Sequence, residues 1–264
     1  MKNSRKIDVA IIGGTGLESL LKDAERIRIG TPYGLPPPMS IGEVDGIPVA
    51  FLPRHGIQHC VPPHEVNYRA NIRALYTMGV KRIITTNAVG AINPSFKPGD
   101  LAVPHDLIDF AKFRQSTFYD CAPVTHIDVT QIYCPETRLT LIEAMKKHES
   151  RTHDRAVLVC TEGPRLETPA EIEMFRRLGC DIVGMTGAPE AVLARELEMC
   201  YATICFVTNM AAGMQERLTA CELVEMAKKK FSVIEQILRD TIKNLSKERH
   251  CLCASALENA RLRG

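Results

Sequence analysis

Between residues 161 and 213 three segments, TEGPRLET, GMTGAPEAVLARE and VTNMAAG, place polar side chains beside small residues where apolar runs end. In an open α/β sheet, ligands gather outside the carboxyl ends of the strands, so this spacing points to a binding site and not a core. Glu167 and Asn209 together can read a heterocycle, because a carboxylate accepts from a ring N–H while a carboxamide both donates and accepts. Met185 is a soft apolar surface suited to a ring or sugar face. A second set suits a phosphate dianion: Thr15 in the GGTG loop, the Arg54/His55 pair, Thr186, and the Asn87/Ala88 turn. Arginine offers a planar fork to two oxygens, histidine and hydroxyls add donors, and backbone N–H groups at glycine-rich turns complete an anion cradle. Singly, each has a plainer explanation: Arg54 as a surface ion pair, His55 as a satisfied loop histidine, Thr186 as a helix cap, Glu167 as a helix N-terminal acid. Their recurrence at strand ends favours the ligand site.

The elements that must hold these residues alternate. IDVAIIGG reads as a first strand, MSIGEVDG and IPVAFLPRHG as a hairpin joined by Asp-Gly, VNYRANIRALYTMG as an amphipathic helix, and KRIITTNAVGAINPSFKPGD as a buried strand entering a polar turn. LAVPHDLIDF is expected to be one strand, PETRLTLIEAMKKH a helix and AVLVCTEG a strand. TPAEIEMFRRLG begins with a cap at Thr168 and proline at the first helical position, which leaves Glu167 outside the helix. DIVGM, PEAVLARELE, CYATICFVTN and a long helix from about Thr219 to Lys247 complete the pattern. Such alternation implies a single α/β domain over residues 1–264, with a mixed, largely parallel sheet covered by helices and a cysteine-containing tail at 248–264.

Composition narrows the function. The 264 residues carry a formal net charge of +2, with lysine and arginine dispersed, so neither nucleic acid nor a membrane surface is an expected partner. No apolar run approaches a membrane span and the N-terminus enters a strand, which suggests a cytoplasmic protein. The ten cysteines include no CxxC pair and no Cys/His set with zinc-site spacing, so no metal is expected. Cys134, Cys200 and Cys205 read as buried reduced thiols, with intracellular bridges of the hyperthermophile kind as the alternative. The GGTG loop alone is compatible with a dinucleotide-dependent oxidoreductase, but it lacks the third glycine and the downstream acid of that fingerprint.

Taken in order, GGTGL, PRHGIQHCVPPHEVNYRANIRAL, TNAVGAINPSFKPGD, TEGPRLETPAEIEMFRRLGCDIVGMTGAPEAVLARE and VTNMAAG resemble the trimeric purine nucleoside phosphorylase and methylthioadenosine phosphorylase family. The resemblance implies a partly closed sheet of the nucleoside-phosphorylase type and phosphorolysis of a purine nucleoside to free base and ribose 1-phosphate. Inorganic phosphate is then a co-substrate, no other cofactor or metal is needed, and the assembly is a homotrimer or homohexamer. It assigns Thr15, Arg54, His55, Ala88 and Thr186, with Asn87 beside them, to phosphate, and Met185 to ribose. Glu167 with Leu166, and Asn209, Met210 and Ala211, fall to the base; Asn209 and His55 are the expected catalytic residues. Adenine-specific members of the family carry Ser and Asp where this chain has Glu167 and Asn209, which resembles the 6-oxopurine branch instead. Ala220 and Val224, or Glu222, occupy the stretch expected to wall the ribose 5′ position. An apolar wall there fits S-methyl-5′-thioinosine, with inosine and guanosine as competitors. A purine-binding protein without catalysis is the alternative of another class. Thermophilic members also carry interior disulfides and a CxC pair, so the resemblance raises bridges among Cys134, Cys200, Cys205, Cys251 and Cys253.

Overall fold

The computed structural model describes residues 6–14, 16–216 and 220–262, with 220–229 described as backbone only. Sixteen regular strands and helices follow one another as β1 (Val9–Gly13), β2 (Lys22–Ile27), β3 (Met39–Val44), β4 (Ile47–Pro53), α1 (Tyr68–Thr77), β5 (Arg82–Ala91), β6 (Leu101–Ala102), β7 (Asp106–Phe110), α2 (Pro135–His148), β8 (Thr152–His153), β9 (Val157–Thr161), α3 (Pro169–Arg177), β10 (Ile182–Gly184), α4 (Ala188–Glu196), β11 (Cys200–Met210) and α5 (Ala220–Asn244).

Strand periodicity builds two cores. Successive side chains of a strand point to opposite faces. Ala10, Ile12, Ala50, Leu52 and Ile83 therefore join one buried cluster with α1 and α4, through Ile72, Leu75 and Leu193. Their neighbours Val9, Ile11, Val49, Phe51 and Ile84 join the other, under α2 and α5, through Leu141, Met145, Ile237 and Leu238. The central strands are apolar on both faces because helices cover both, as expected of a sheet that is mostly parallel.

All eleven strands belong to one sheet, in the order β2-β3-β4-β1-β5-β10-β9-β7, and β11, β6 and β8 branch from β5. Among the described residues the sheet does not close, where a partly closed sheet was expected, because neither edge strand β2 nor β7 pairs back onto the other end. LAVPHDLIDF is two strands, β6 and β7, separated at Val103–His105; Pro104 has no N–H with which to continue a ladder. β2, KDAERI, has no apolar alternation and is almost wholly exposed, so its pairing with β3 was not legible from pattern. The Asp45-Gly46 turn does join β3 to β4 as a hairpin, with both residues at positive φ.

β5 is the strand on which the site depends. One of its edges pairs with β11 along its whole length. The other pairs with β1 only as far as Thr85, opposite Ile12, and then with β10 at Gly90 and Ala91, in the opposite sense. Between them, Thr86 to Val89 have no strand on that edge. Asn87 and Ala88 thus lie within a strand and not in the turn expected, and Ala88 is exposed between buried neighbours.

α3 shows how local chemistry sets an element's start. The Thr168 hydroxyl accepts from the Glu171 N–H, and the Glu171 carboxylate accepts from the Thr168 N–H at 2.7 Å, a reciprocal capping box followed by Pro169. Thr168→Ala should lower the unfolding free energy by about 1 kcal/mol in urea titration, and Thr168→Ser should restore most of it.

Candidate active site

Arg54 follows β4 directly, and its backbone N–H donates to Gly13 at the end of β1, 3.0 Å away. Its buried guanidinium fills the gap in the β5 edge: Nη1 donates to the Thr86 carbonyl at 2.9 Å, while Nε and Nη2 donate to the two Glu190 oxygens at 2.5 and 2.9 Å. Glu190 lies in the first turn of α4, is wholly buried, and also accepts from the Tyr201 hydroxyl at 2.8 Å. Burial works against charge on Arg54, yet Glu190 raises its pKa above the ordinary arginine value. A guanidinium has five N–H donors, and these contacts use three, so one N–H on each terminal nitrogen remains for a ligand. The pair supplies directed donors with little net charge.

His55 is tied by a tight turn: Nδ1 lies 2.9 Å from the Val61 carbonyl. A carbonyl cannot donate, so Nδ1 carries the proton and Nε2 is left as an acceptor. Burial first, then the Arg54 charge, lowers the His55 pKa to about 4, which keeps the ring neutral at pH 7. His55 therefore donates its N–H to Val61 and offers Nε2 as an acceptor, where a second donor was expected from the sequence. Gln58 and His59, in the same turn, both adopt positive φ, a costly conformation for residues with side chains.

Asn87 and Thr186 engage each other. The Thr186 hydroxyl donates to Asn87 Oδ1 at 2.9 Å and Asn87 Nδ2 donates to the Thr203 hydroxyl at 2.9 Å. The Asn87 amide thereby orients the Thr186 hydroxyl, and its nitrogen keeps a second N–H. Gly187, not Thr186, is the N-cap of α4, so the plain reading of Thr186 as a cap does not hold. The Thr186 hydroxyl keeps lone pairs, and the backbone around Thr186 to Ala188 opens a buried helix whose first turn faces the Arg54 pair through Glu190.

Across β5 from β10, β11 carries a bulge between Val207 and Asn209. A bulge re-aims one side chain. Asn209 Oδ1 accepts from the Thr208 hydroxyl at 2.7 Å and Nδ2 donates to the Met210 carbonyl at 2.8 Å, which fixes the amide's orientation and leaves one N–H. Gly90 makes room for it: a Cβ there would sit 3.1 Å from Asn209 Nδ2. Glu167 Oε1 accepts from the Thr161 hydroxyl at 2.6 Å, and Oε2 accepts no hydrogen bond from a described residue. The loop bearing Glu167 and the loop that follows β11 meet where Gly213 packs on Pro169. Met185 rests on Gly163, where a Cβ would fall 2.6 Å from its sulfur.

A family model for the phosphorylase superfamily matches residues 8–243. The chain belongs to the phosphorylase superfamily. Over 96% of its length it is 49% identical to the 6-oxopurine nucleoside phosphorylase of Pyrococcus furiosus, covering 98% of that protein. It is also 49% identical to a probable S-methyl-5′-thioinosine phosphorylase of Methanothermobacter thermautotrophicus, over 96% of this chain and 89% of that one. A crystal structure of methylthioadenosine phosphorylase from an antarctic soil metagenomic library superposes with a TM-score of 0.93 at 37% identity, over 98% of this chain and 93% of that one.

Within this phosphorylase fold, the structure gathers Arg54, His55, Asn87, Ala88 and Thr186 around the β5 gap, and Met185, Glu167, Asn209, Met210 and Ala211 around β10. Leu166, next to Glu167, is exposed. Thr15 lies outside the described residues, as do the side chains of Ala220, Glu222 and Val224. Two further residues were not singled out in the sequence. Glu190 carried a weak signal, an acid among Ala, Pro, Val and Leu in PEAVLARE. Arg114 carried none. From a polar loop, Arg114 donates to the carbonyls of Met185 at 2.6 Å, Thr161 at 3.1 Å and Glu162 at 2.6 Å, clamping the Glu167 loop to the Met185 loop.

His55 gives this site a pH signature. Its folded pKa lies below the unfolded one, so above pH 6.5 both states hold it neutral and it contributes no pH dependence. As pH falls from there towards 4, the unfolded chain takes up a proton that the folded chain refuses, and stability declines by up to about 3 kcal/mol. Urea midpoints measured across this range should fall with pH in the wild type and fall less in His55→Asn.

Proposed function

We propose that this chain catalyses phosphorolysis of the N-glycosidic bond of purine nucleosides, with 6-oxopurines preferred over adenine. Phosphate attacks the anomeric carbon as the bond to the base breaks, giving free purine and a ribose 1-phosphate, 5-methylthiolated where the substrate is. The sugar becomes oxocarbenium-like and the base gains negative charge, so transition-state stabilisation belongs at both ends. At the phosphate end, the two remaining Arg54 N–H groups and the backbone beside Ala88 and Thr186 supply donors. Neutral His55 accepts through Nε2 from a phosphate or ribose hydroxyl. At the other end, the remaining Asn209 N–H donates to the leaving purine. Phosphate is the co-substrate, and no organic cofactor or catalytic metal enters the reaction.

The observation that carries the base preference is Glu167, held through Oε1 by Thr161 and with Oε2 left to accept. Hypoxanthine and guanine present an N1–H to such an oxygen, whereas adenine presents a lone pair. A site built on a hydrogen-bond pattern discriminates strongly because the mismatch leaves polar groups unpaired. The relatives named for 6-oxopurine nucleosides and methylthioinosine support this reading. Among the described residues no helix is long and apolar enough to cross a membrane, and a cytoplasmic homotrimer or homohexamer completes the proposal.

Incubation with phosphate and inosine, guanosine, methylthioinosine, adenosine or methylthioadenosine, followed by chromatography of the bases, tests the reaction. Hypoxanthine and guanine are the expected products, and release of adenine alone overturns the preference. The ranking of methylthioinosine against inosine and guanosine reports whether apolar groups wall the ribose 5′ position. Asn209→Ala should lose about 10²-fold or more in kcat. Glu167→Ser with Asn209→Asp should shift kcat/KM towards 6-aminopurines, and unchanged selectivity would assign the choice to other residues.

A further inference from the structure

Four cysteines outside the active site converge on one point. Cys134 is the N-cap of α2, Cys200 opens β11, and Cys251 and Cys253 come from the C-terminal tail. Their four Sγ atoms all lie within 4.8 Å of one another, and Cys200 and Cys251 approach to 3.4 Å. Cys134, Cys200 and Cys253 are buried in a cluster of their own, with Cys251 packed against it. Cys205, grouped with them in the sequence reading, lies elsewhere, in the core formed by Val89, Leu158 and Val207. The nine cysteines whose side chains are described form no disulfide.

We propose that Cys134, Cys200, Cys251 and Cys253 form a tetrathiolate site for a structural zinc ion. Zinc–sulfur bonds of about 2.3 Å in a tetrahedron separate the sulfurs by about 3.8 Å, and the distances found bracket this value. Two more observations point the same way. The Cys134 sulfur accepts from the Thr137 N–H at 3.5 Å and from the Thr137 hydroxyl at 3.3 Å. Such donors, at the start of a 14-residue helix, stabilise negative charge on sulfur and are the usual outer partners of a metal-bound thiolate. In the tail, extended backbone at Cys251 sends Cys251 and Cys253 to one side, at the cost of leaving Leu252 66% exposed. A thiol alone gives little reason for that exposure.

On binding, the four thiols release their protons to solvent and the sulfurs donate their lone pairs to the ion. All four positions of the tetrahedron belong to the protein, so the site is structural. Cys200 and Asn209 stand at opposite ends of the 11-residue β11, about 30 Å apart at 3.3 Å per residue. The metal pins the tail to the end of the sheet remote from the active site. The chain spacing misses this because no local CxxC brings two ligands together; three distant segments do.

The full-length protein, expressed with zinc in the medium and purified under reducing conditions without chelator, should contain one zinc per chain by elemental analysis. Replacement by cobalt should give the intense thiolate-to-metal absorption of a tetrahedral tetrathiolate. Cys251→Ser with Cys253→Ser should lose the zinc and lower Tm while kcat at moderate temperature stays within twofold. Protein free of stoichiometric metal overturns the site. Thiol titration of denatured protein purified without reductant then identifies the alternative: six of the ten thiols detected before reduction show two disulfides, and all ten detected show a packed thiol cluster. Because metal content and cobalt spectra are read on the wild-type chain, failure of the variant to fold does not leave the site untested.

Discussion

The buried ion pair between Arg54 and Glu190 is the interaction around which the site is arranged. It occupies the stretch of β5 edge left open where β1 stops and before β10 begins. A strand edge inside a protein carries unpaired carbonyls, and a buried one must be satisfied. Arg54 answers the Thr86 carbonyl, Glu190 answers Arg54, and Tyr201 answers Glu190. Each partner comes from a different element, so β4, β5, α4 and β11 are locked together at this point. Burying a charge pair contributes little net stability, and removing either partner would strand the other. The pair is better understood as fixing geometry: it holds two N–H donors in place with their charge largely balanced.

The two halves of the site are held by different means. Around the β5 gap the side chains are buried, mutually hydrogen-bonded and carried on the ends of strands and on α4. Around β10, Glu167 and Met185 lie on loops and Asn209 at the bulged end of β11, and their positions come from clamps: Arg114 on the Met185 and Thr161 carbonyls, Thr161 on Glu167, and Thr208 and Met210 on Asn209. Gly90 and Gly163 allow the close approaches that Asn209 and Met185 require.

Much of the architecture was legible because its cause is local. Apolar runs in β1, β5 and β11, the Asp-Gly hairpin, and the Thr168-Pro169 start of α3 each follow from a few adjacent residues. β2 was hidden because an exposed edge strand needs no apolar alternation, and the division of LAVPHDLIDF at Pro104 was passed over in a short apolar run. The candidate residues were legible as polar types at strand ends, but not their engagements. That Asn87 is held between Thr186 and Thr203 depends on groups far away in the chain, and that His55 spends its proton on Val61 depends on how the intervening turn closes.

The sequence by itself determined the superfamily, the order of the elements, and the pair Glu167 and Asn209 on which the proposed 6-oxopurine preference rests, since these are matters of residue type and local spacing. Only the tertiary structure decided which donors remain open. It left the sheet unclosed, tied Asn87 to Thr186 and Thr203, made His55 an acceptor, and brought Glu190 and Arg114 into the site. It also drew Cys134, Cys200, Cys251 and Cys253 together from three segments. The physical reason is the same in each case: a hydrogen bond or a sulfur contact is set by distance in space, and the partners here are supplied by strands and loops that meet only when the sheet is assembled.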